Sequence, residues 1–302
     1  MPPSLNRARF KRVAAVVGGA LCVVAIGLLI RRGAALGDAL GDRLAEIEPA
    51  SFAAALAAYL AGALALGAAW IALVRCMADA HARARPLLIA HLRAQVAKYL
   101  PGNVFHFAYR HAAARAEGVG HVALGGALAL ESALLIAASA IVALGVVADP
   151  RLESVVPHAR LGVWAAPLLA ALAIAAALAL TRRYGRARAS LRETALTLVA
   201  VLAIDLVFFA LAAVALRLLC AQPTAMPFSA WCGWLSLAWV VGYVTPGAPG
   251  GIGLRETVLV LGLQNVLGEA DALAVALAYR LLTLIADGLL AALGFAIPNA
   301  RA

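Results

Sequence analysis

Pro246-Gly247-Ala248-Pro249-Gly250-Gly251-Ile252-Gly253-Leu254-Arg255-Glu256 interrupts a long apolar run and sets two charges beside the interruption. Two prolines and four glycines in eight residues do not continue a regular helix. Irregular backbone at membrane depth is tolerated only where protein buries it or where it lines a polar cavity. From Leu254 onward the pattern is helical again. That helix would present its first N–H groups and the positive end of its dipole to the break. The stretch is expected to be a re-entrant element facing an anion. A kink that only lets helices pack closely would leave the same signature.

Composition supplies the surroundings. Of 302 residues, 65% are hydrophobic and 13% charged, with a mean hydropathy of +0.94. Soluble domains carry roughly half apolar and a quarter charged residues, so the expected fold is an all-α polytopic membrane protein. No stretch outside the apolar runs is long enough for a second folded unit, which makes residues 1–302 a single integral membrane domain. The net charge of +10 would suggest nucleic acid in a soluble chain. Here the basic residues gather at Arg7–Arg12, Arg75–Arg115 and Arg182–Arg192. That bias is a topology signal, not a nucleic-acid surface, and it puts the N-terminus and those three clusters in the cytoplasm.

Apolar spans are expected at Val13–Ile30, Ser51–Val74, Val122–Val147, Leu161–Leu180, Thr194–Leu219, Phe228–Thr245 and Ala272–Ile297. Pro86–Val96 and Arg255–Leu267 are too short to cross, the first reading as part of a re-entrant or interfacial helix pair and the second as a re-entrant piece. The total is six to seven transmembrane helices plus broken ones. Trp231 and Trp234 suit an interfacial aromatic belt. Cys22, Cys76, Cys220 and Cys232 form no CxxC pair and read as small buried hydrophobes. The histidines show no HxxxH or HExxH spacing, so no metal site is assigned.

Six charged residues fall inside apolar runs: Glu131, Asp205, Arg255, Glu256, Arg280 and Asp287. An ionised side chain at the bilayer centre costs at least about 2.5–3.5 kcal/mol, so each must face protein, water or another charge. Arg280 and Asp287 lie on one helix face about 10.5 Å apart. That is too far for a direct pair, so the two either line one polar track or each pairs with another helix, Arg280 with Glu131 or Glu256 for example. Adjacent Arg255 and Glu256 diverge around their helix and cannot share a partner. Lys98-Tyr99-Leu100-Pro101-Gly102 echoes Tyr243-Val244-Thr245-Pro246-Gly247, and each precedes a helix carrying arginine, Arg110 or Arg255. Paired Pro/Gly interruptions point to a repeat-built transporter with a midplane site. The glycine stretch lacks the Lys-Ser/Thr of a phosphate-binding loop, and no GxSxG or zinc motif is present. No catalytic residues and no cofactor are assigned, and a self-contained enzyme is disfavoured.

Two signatures resemble the membrane region of lysylphosphatidylglycerol synthase/flippase proteins and the related UPF0104 membrane proteins. One is Tyr99-Leu100-Pro101-Gly102 continuing through Arg110, Gly118 and Gly120 to Glu131. The other is Pro246 to Glu256 followed by Tyr279-Arg280. The resemblance implies movement of a phospholipid between leaflets. The cytosolic transferase domain of two-part family members is not expected within these 302 residues. The expected protein is a bacterial cytoplasmic (inner) membrane lipid translocator. Its substrate contacts would be Gly250, Gly251, Arg255, Glu256, Tyr279, Arg280, Arg110, Glu131, Asp205 and Asp287, and its ligand a phospholipid or other anionic lipid. The alternative is a non-catalytic membrane partner that presents a lipid or polyprenyl carrier to a separate transferase.

Overall fold

A computed structural model describes residues 20, 23–78, 82–100, 104–148, 165–184, 190–222, 224–246 and 248–298. The basic N-terminal tail, half of the first expected span with Cys22, the loop Asp149–Arg160, His81, Gly102 and Gly247 lie outside the described residues. All regular structure among the described residues is helical. The helices are α1 (23–36), α2 (Asp38–Ala45), α3 (Pro49–Met77), α4 (Ala84–Ala94), α5 (Phe105–Ala116) and α6 (His121–Ala143), then α7 (Ala165–Tyr184), α8 (Leu191–Leu218), α9 (Phe228–Val244), α10 (Leu254–Leu267) and α11 (Glu269–Ala296). Five of them (α3, α6, α7, α8 and α11) are long and apolar enough to cross a membrane, and α9 is a shorter apolar helix. At 1.5 Å per residue, the 28 residues of α8 reach about 42 Å, more than a hydrocarbon core of about 30 Å. Large apolar side chains such as Leu172, Val199, Leu261, Leu284 and Phe295 point outward from the bundle, as lipid-facing positions must.

Local chemistry sets the helix limits. Pro49 opens α3 at a first-turn position, where its missing N–H costs nothing. Ser190 caps α8, its hydroxyl accepting from the Glu193 N–H at 3.2 Å while Glu193 accepts from the Ser190 N–H at 2.8 Å. Gly268, at φ 87°, separates α10 from α11. α3 overruns both ends expected from hydropathy, α8 and α11 begin about a turn early but stop at Leu218 and Ala296, and α6 stops at Ala143 against an expected Val147.

The order long helix, short helix, break, short helix, long helix occurs twice. In the first set, α3 leads into α4 and a 3₁₀ turn at Val96–Tyr99, then α5 and α6 follow. In the second, α8 leads into α9 and a 3₁₀ turn at Pro249–Gly251, then α10 and α11 follow. The two leading helices, α3 and α8, pack along each other in the centre. Gly62 admits Phe208 there, so close that an added Cβ would lie 3.1 Å from the Phe208 ring.

The two broken hairpins enter from opposite ends. At one end, Arg83 before α4 meets Glu117 after α5 at 2.9 Å, and Arg85 reaches the Pro298 carbonyl beyond α11. At the other end, Arg43 of α2 meets Asp271 at 3.6 Å, Arg32 meets Glu269 at 3.3 Å, and Gln222 donates to Glu46. There α9 begins against the end of α6: a Cβ at Gly145 would sit 2.2 Å from the Ser229 carbonyl oxygen. The second set is thus the first turned over, which is the echo of the two Pro-Gly stretches realised in three dimensions. Trp231 corrects one expectation. It is 1% exposed, under the Arg217 guanidinium, and belongs to the core, not to an interfacial belt.

Candidate functional site

The two breaks abut near the middle of the bundle. Gly250 adopts φ +57°, open to glycine but strained for other residues, and a Cβ there would meet the Tyr99 ring at 2.9 Å. Arg280 of α11 donates from Nη1 to the Gly250 carbonyl at 3.2 Å, and its guanidinium lies 5.4 Å from the Tyr99 ring centroid. The Arg255 Nε would be 2.7 Å from a Cβ on Gly251. Arg255 and Arg280 therefore converge on one glycine turn.

Beside this junction is a cavity of about 130 Å³ lined by side chains from both sets, including Lys98, Arg110, Glu131, Asp205, Arg255 and Asp287. Tyr59, His91, His106, Trp239 and Tyr243 complete much of its wall, and Gly250 contributes backbone. A smaller cavity of about 30 Å³ shares Arg255 and holds Glu256, Tyr279 and Arg280. Arg255 is the cation common to both.

Three ion pairs occupy most of the charges. Lys98 Nζ meets Asp287 Oδ1 at 2.7 Å, and Tyr99 donates its hydroxyl proton to Asp287 Oδ2. Arg110 Nη1 meets Glu131 Oε1 at 2.7 Å, with the Trp70 ring 4.7 Å from the guanidinium carbon. Arg280 Nε meets Glu256 Oε1 at 3.5 Å. Two charged groups have no such partner. Arg255 makes no hydrogen bond or ion pair among the described residues, and its guanidinium rests 5.7 Å from the Trp239 centroid. Asp205, midway along α8 and 2% exposed, likewise has none, and its Oδ2 is a buried acceptor without a donor.

Six of the residues singled out from sequence line the larger cavity: Arg110, Glu131, Asp205, Gly250, Arg255 and Asp287. Glu256, Tyr279 and Arg280 sit instead in the neighbouring one, and Gly251 serves as a backbone cradle for Arg255. The expectation that the first turn of α10 is open is corrected. Glu256 folds back to accept from the Gly253 N–H at 2.7 Å, so a carboxylate of the same turn already occupies part of that end. Sequence reasoning missed Lys98, Tyr99, Trp239 and Tyr243 as cavity residues. Lys98 carried the available signal, a lysine three positions before a Pro-Gly break.

The chain is a multi-pass, all-α membrane protein with a charged cavity where two broken hairpins meet. No protein-family model and no curated protein matches it.

Proposed function

We propose that this protein binds the phosphate-bearing head of a lipid in the larger cavity and passes it between leaflets while the acyl chains stay in the bilayer. The observation that carries the reading is Arg255: a largely enclosed guanidinium, facing the cavity, with five donor protons and no acceptor committed to them. An unpaired cation away from bulk water costs several kcal/mol, about 3–5 when a partner is removed. A phosphate oxygen pair is the planar acceptor that matches its fork. Two hairpins that enter from opposite ends are also the arrangement of repeat-built transporters, in which a midplane site opens to either side in turn. The resemblance of both Pro-Gly signatures to lysylphosphatidylglycerol synthase/flippase membrane regions agrees with this reading. A bacterial inner membrane and a cytoplasmic N-terminus belong to the same proposal.

The test is leaflet exchange in vesicles holding the purified protein and acyl-labelled fluorescent phospholipids, read by quenching the label in the outer leaflet. Exchange should be lost in Arg255→Ala and strongly reduced in Arg280→Ala, whose removal frees the Gly250 turn. Undiminished exchange in Arg255→Ala, with the variant folded, would sink the reading.

A further inference from the structure

The charges in and beside the larger cavity fall into two unbalanced groups. Around the glycine turn are Arg255 of α10, which lines the larger cavity, and Arg280 of α11, which lines the smaller one, against the single carboxylate Glu256. On the α6–α8 side are Glu131 and Asp205 against the single guanidinium Arg110. The Lys98–Asp287 pair is balanced within itself. The first group therefore holds one guanidinium more than it has carboxyl groups, and the second one carboxyl group more than it has guanidinium groups. The excess is not diffuse: in each group the member without a partner, Arg255 or Asp205, lines the cavity.

Between the two poles runs an aromatic and hydroxyl wall. Trp239, under Arg255, stacks on Tyr243 at 4.5 Å, and Tyr243 donates to Ser132 at 3.0 Å, the neighbour of Glu131 on α6. Glu131, which shares the cavity wall with Asp205, is another carboxylate, and among the described residues no group makes an ion pair or hydrogen bond with Asp205. A purely anionic head would satisfy Arg255 and leave Asp205 unpaired, which costs the full desolvation of a buried acceptor.

Resting on the lipid-handling reading, we infer that Asp205 is a specificity-determining residue that receives a protonated amine, and that the ligand head is a net-neutral zwitterion carrying one phosphate and one ammonium. Phosphate goes to Arg255 and ammonium to Asp205. One free cation and one free carboxylate call for a single amine. An aminoacylated head with two ammonium groups, which the family resemblance would imply, exceeds that count.

Full-length protein in vesicles is given acyl-labelled phosphatidylethanolamine, phosphatidylglycerol or lysylphosphatidylglycerol, and the exchange rates are compared within one preparation. Phosphatidylethanolamine should move about ten-fold faster than phosphatidylglycerol, the scale of one hydrogen bond to a charged group. The ratio should fall towards one in Asp205→Asn and persist in Asp205→Glu. Partial misfolding lowers both rates together and leaves the ratio standing, so the comparison survives a damaged variant. Equal rates in the wild type, or an Asn variant that keeps the preference, overturn the inference while leaving lipid movement intact. Fastest movement of lysylphosphatidylglycerol overturns the single-amine count. Thermal stabilisation by glycerophosphoethanolamine without exchange of any lipid would keep the zwitterion site, assign it to a soluble solute, and overturn the lipid translocation it rests on.

Discussion

Replacing Asp287 by asparagine removes one charge and almost no volume, and it strikes the contact that fixes the first broken hairpin to the last span. Asp287 is 1% exposed at its side chain and accepts from both Lys98 and Tyr99, at the end of the 3₁₀ turn Val96–Tyr99. In Asp287→Asn the Lys98 ammonium loses its ionised partner and keeps Gln95 Oε1 at 3.3 Å and at most one neutral amide oxygen. Breaking a buried pair costs about 3–5 kcal/mol. Lys98 is 27% exposed at its side chain and can draw in water, which puts the expected loss at the lower limit, about 3 kcal/mol. At roughly 2–4 °C per kcal/mol, Tm should drop by about 6–12 °C. Thermal unfolding of the detergent-solubilised protein measures it. The double variant Lys98→Met with Asp287→Leu should return most of the loss, because an apolar pair of similar volume often matches a buried ion pair. A Tm shift under about 2 °C in Asp287→Asn, or a double variant no better than the single one, would refute the assignment of this pair as the strap of the hairpin.

Arg255→Met should leave Tm unchanged or raise it, since an enclosed cation without a partner is replaced by an apolar side chain, yet leaflet exchange should disappear; thermal unfolding and exchange on one preparation decide it. Glu256→Gln keeps an acceptor for the Gly253 N–H but loses the Arg280 pair, so a loss of about 2 kcal/mol is expected from thermal unfolding, and Glu256→Ala should cost more. Gly145→Ala and Gly233→Ala each push a methyl group against backbone atoms at 2.2 Å, and each should cost about 1–3 kcal/mol; the pair should cost less than the sum because both open the same crossing. Ser190→Ala should cost about 1 kcal/mol through the lost cap of α8, read by the same unfolding experiment.

Local signals carried far along the chain. Pro246 to Gly253 announced the break because proline and glycine act through backbone geometry that needs no tertiary context, and Lys98 to Gly102 announced the matching one. The intramembrane charges were legible for a related reason: lipid makes each expensive, so each marked the polar interior. Pairing was not legible. Lys98 and Asp287 are 189 positions apart, and no local rule selects Asp287 over Glu131, Asp205 or Glu256 as the partner. Only the hairpin fold does so, by laying Tyr99 against Gly250 and Asp287 together. Trp231 failed similarly. A tryptophan near the start of an apolar helix suits an interface, but α9 starts against the end of α6, and the packing there buries it. The closed first turn of α10 could have been anticipated, since Glu256 stands at the third helical position, where a carboxylate reaches back to the cap N–H.

The paired and unpaired charges divide the work of the site. Arg110–Glu131 joins α5 to α6, Arg280–Glu256 joins α11 to α10, and Lys98–Asp287 joins the first set to the second. Broken helices lack the continuous hydrogen-bond ladder that keeps a span rigid, and the membrane offers them no hydrophobic drive towards other helices. Ion pairs at each break supply the directional contacts that packing alone does not. If charge served only to hold the breaks, every buried charge would have such a role. Arg255 and Asp205 have none, although both lie where an apolar residue would be cheaper. Their burden on stability is what a ligand carrying the opposite charges would relieve, and the size of that burden sets how strongly the empty site favours being filled.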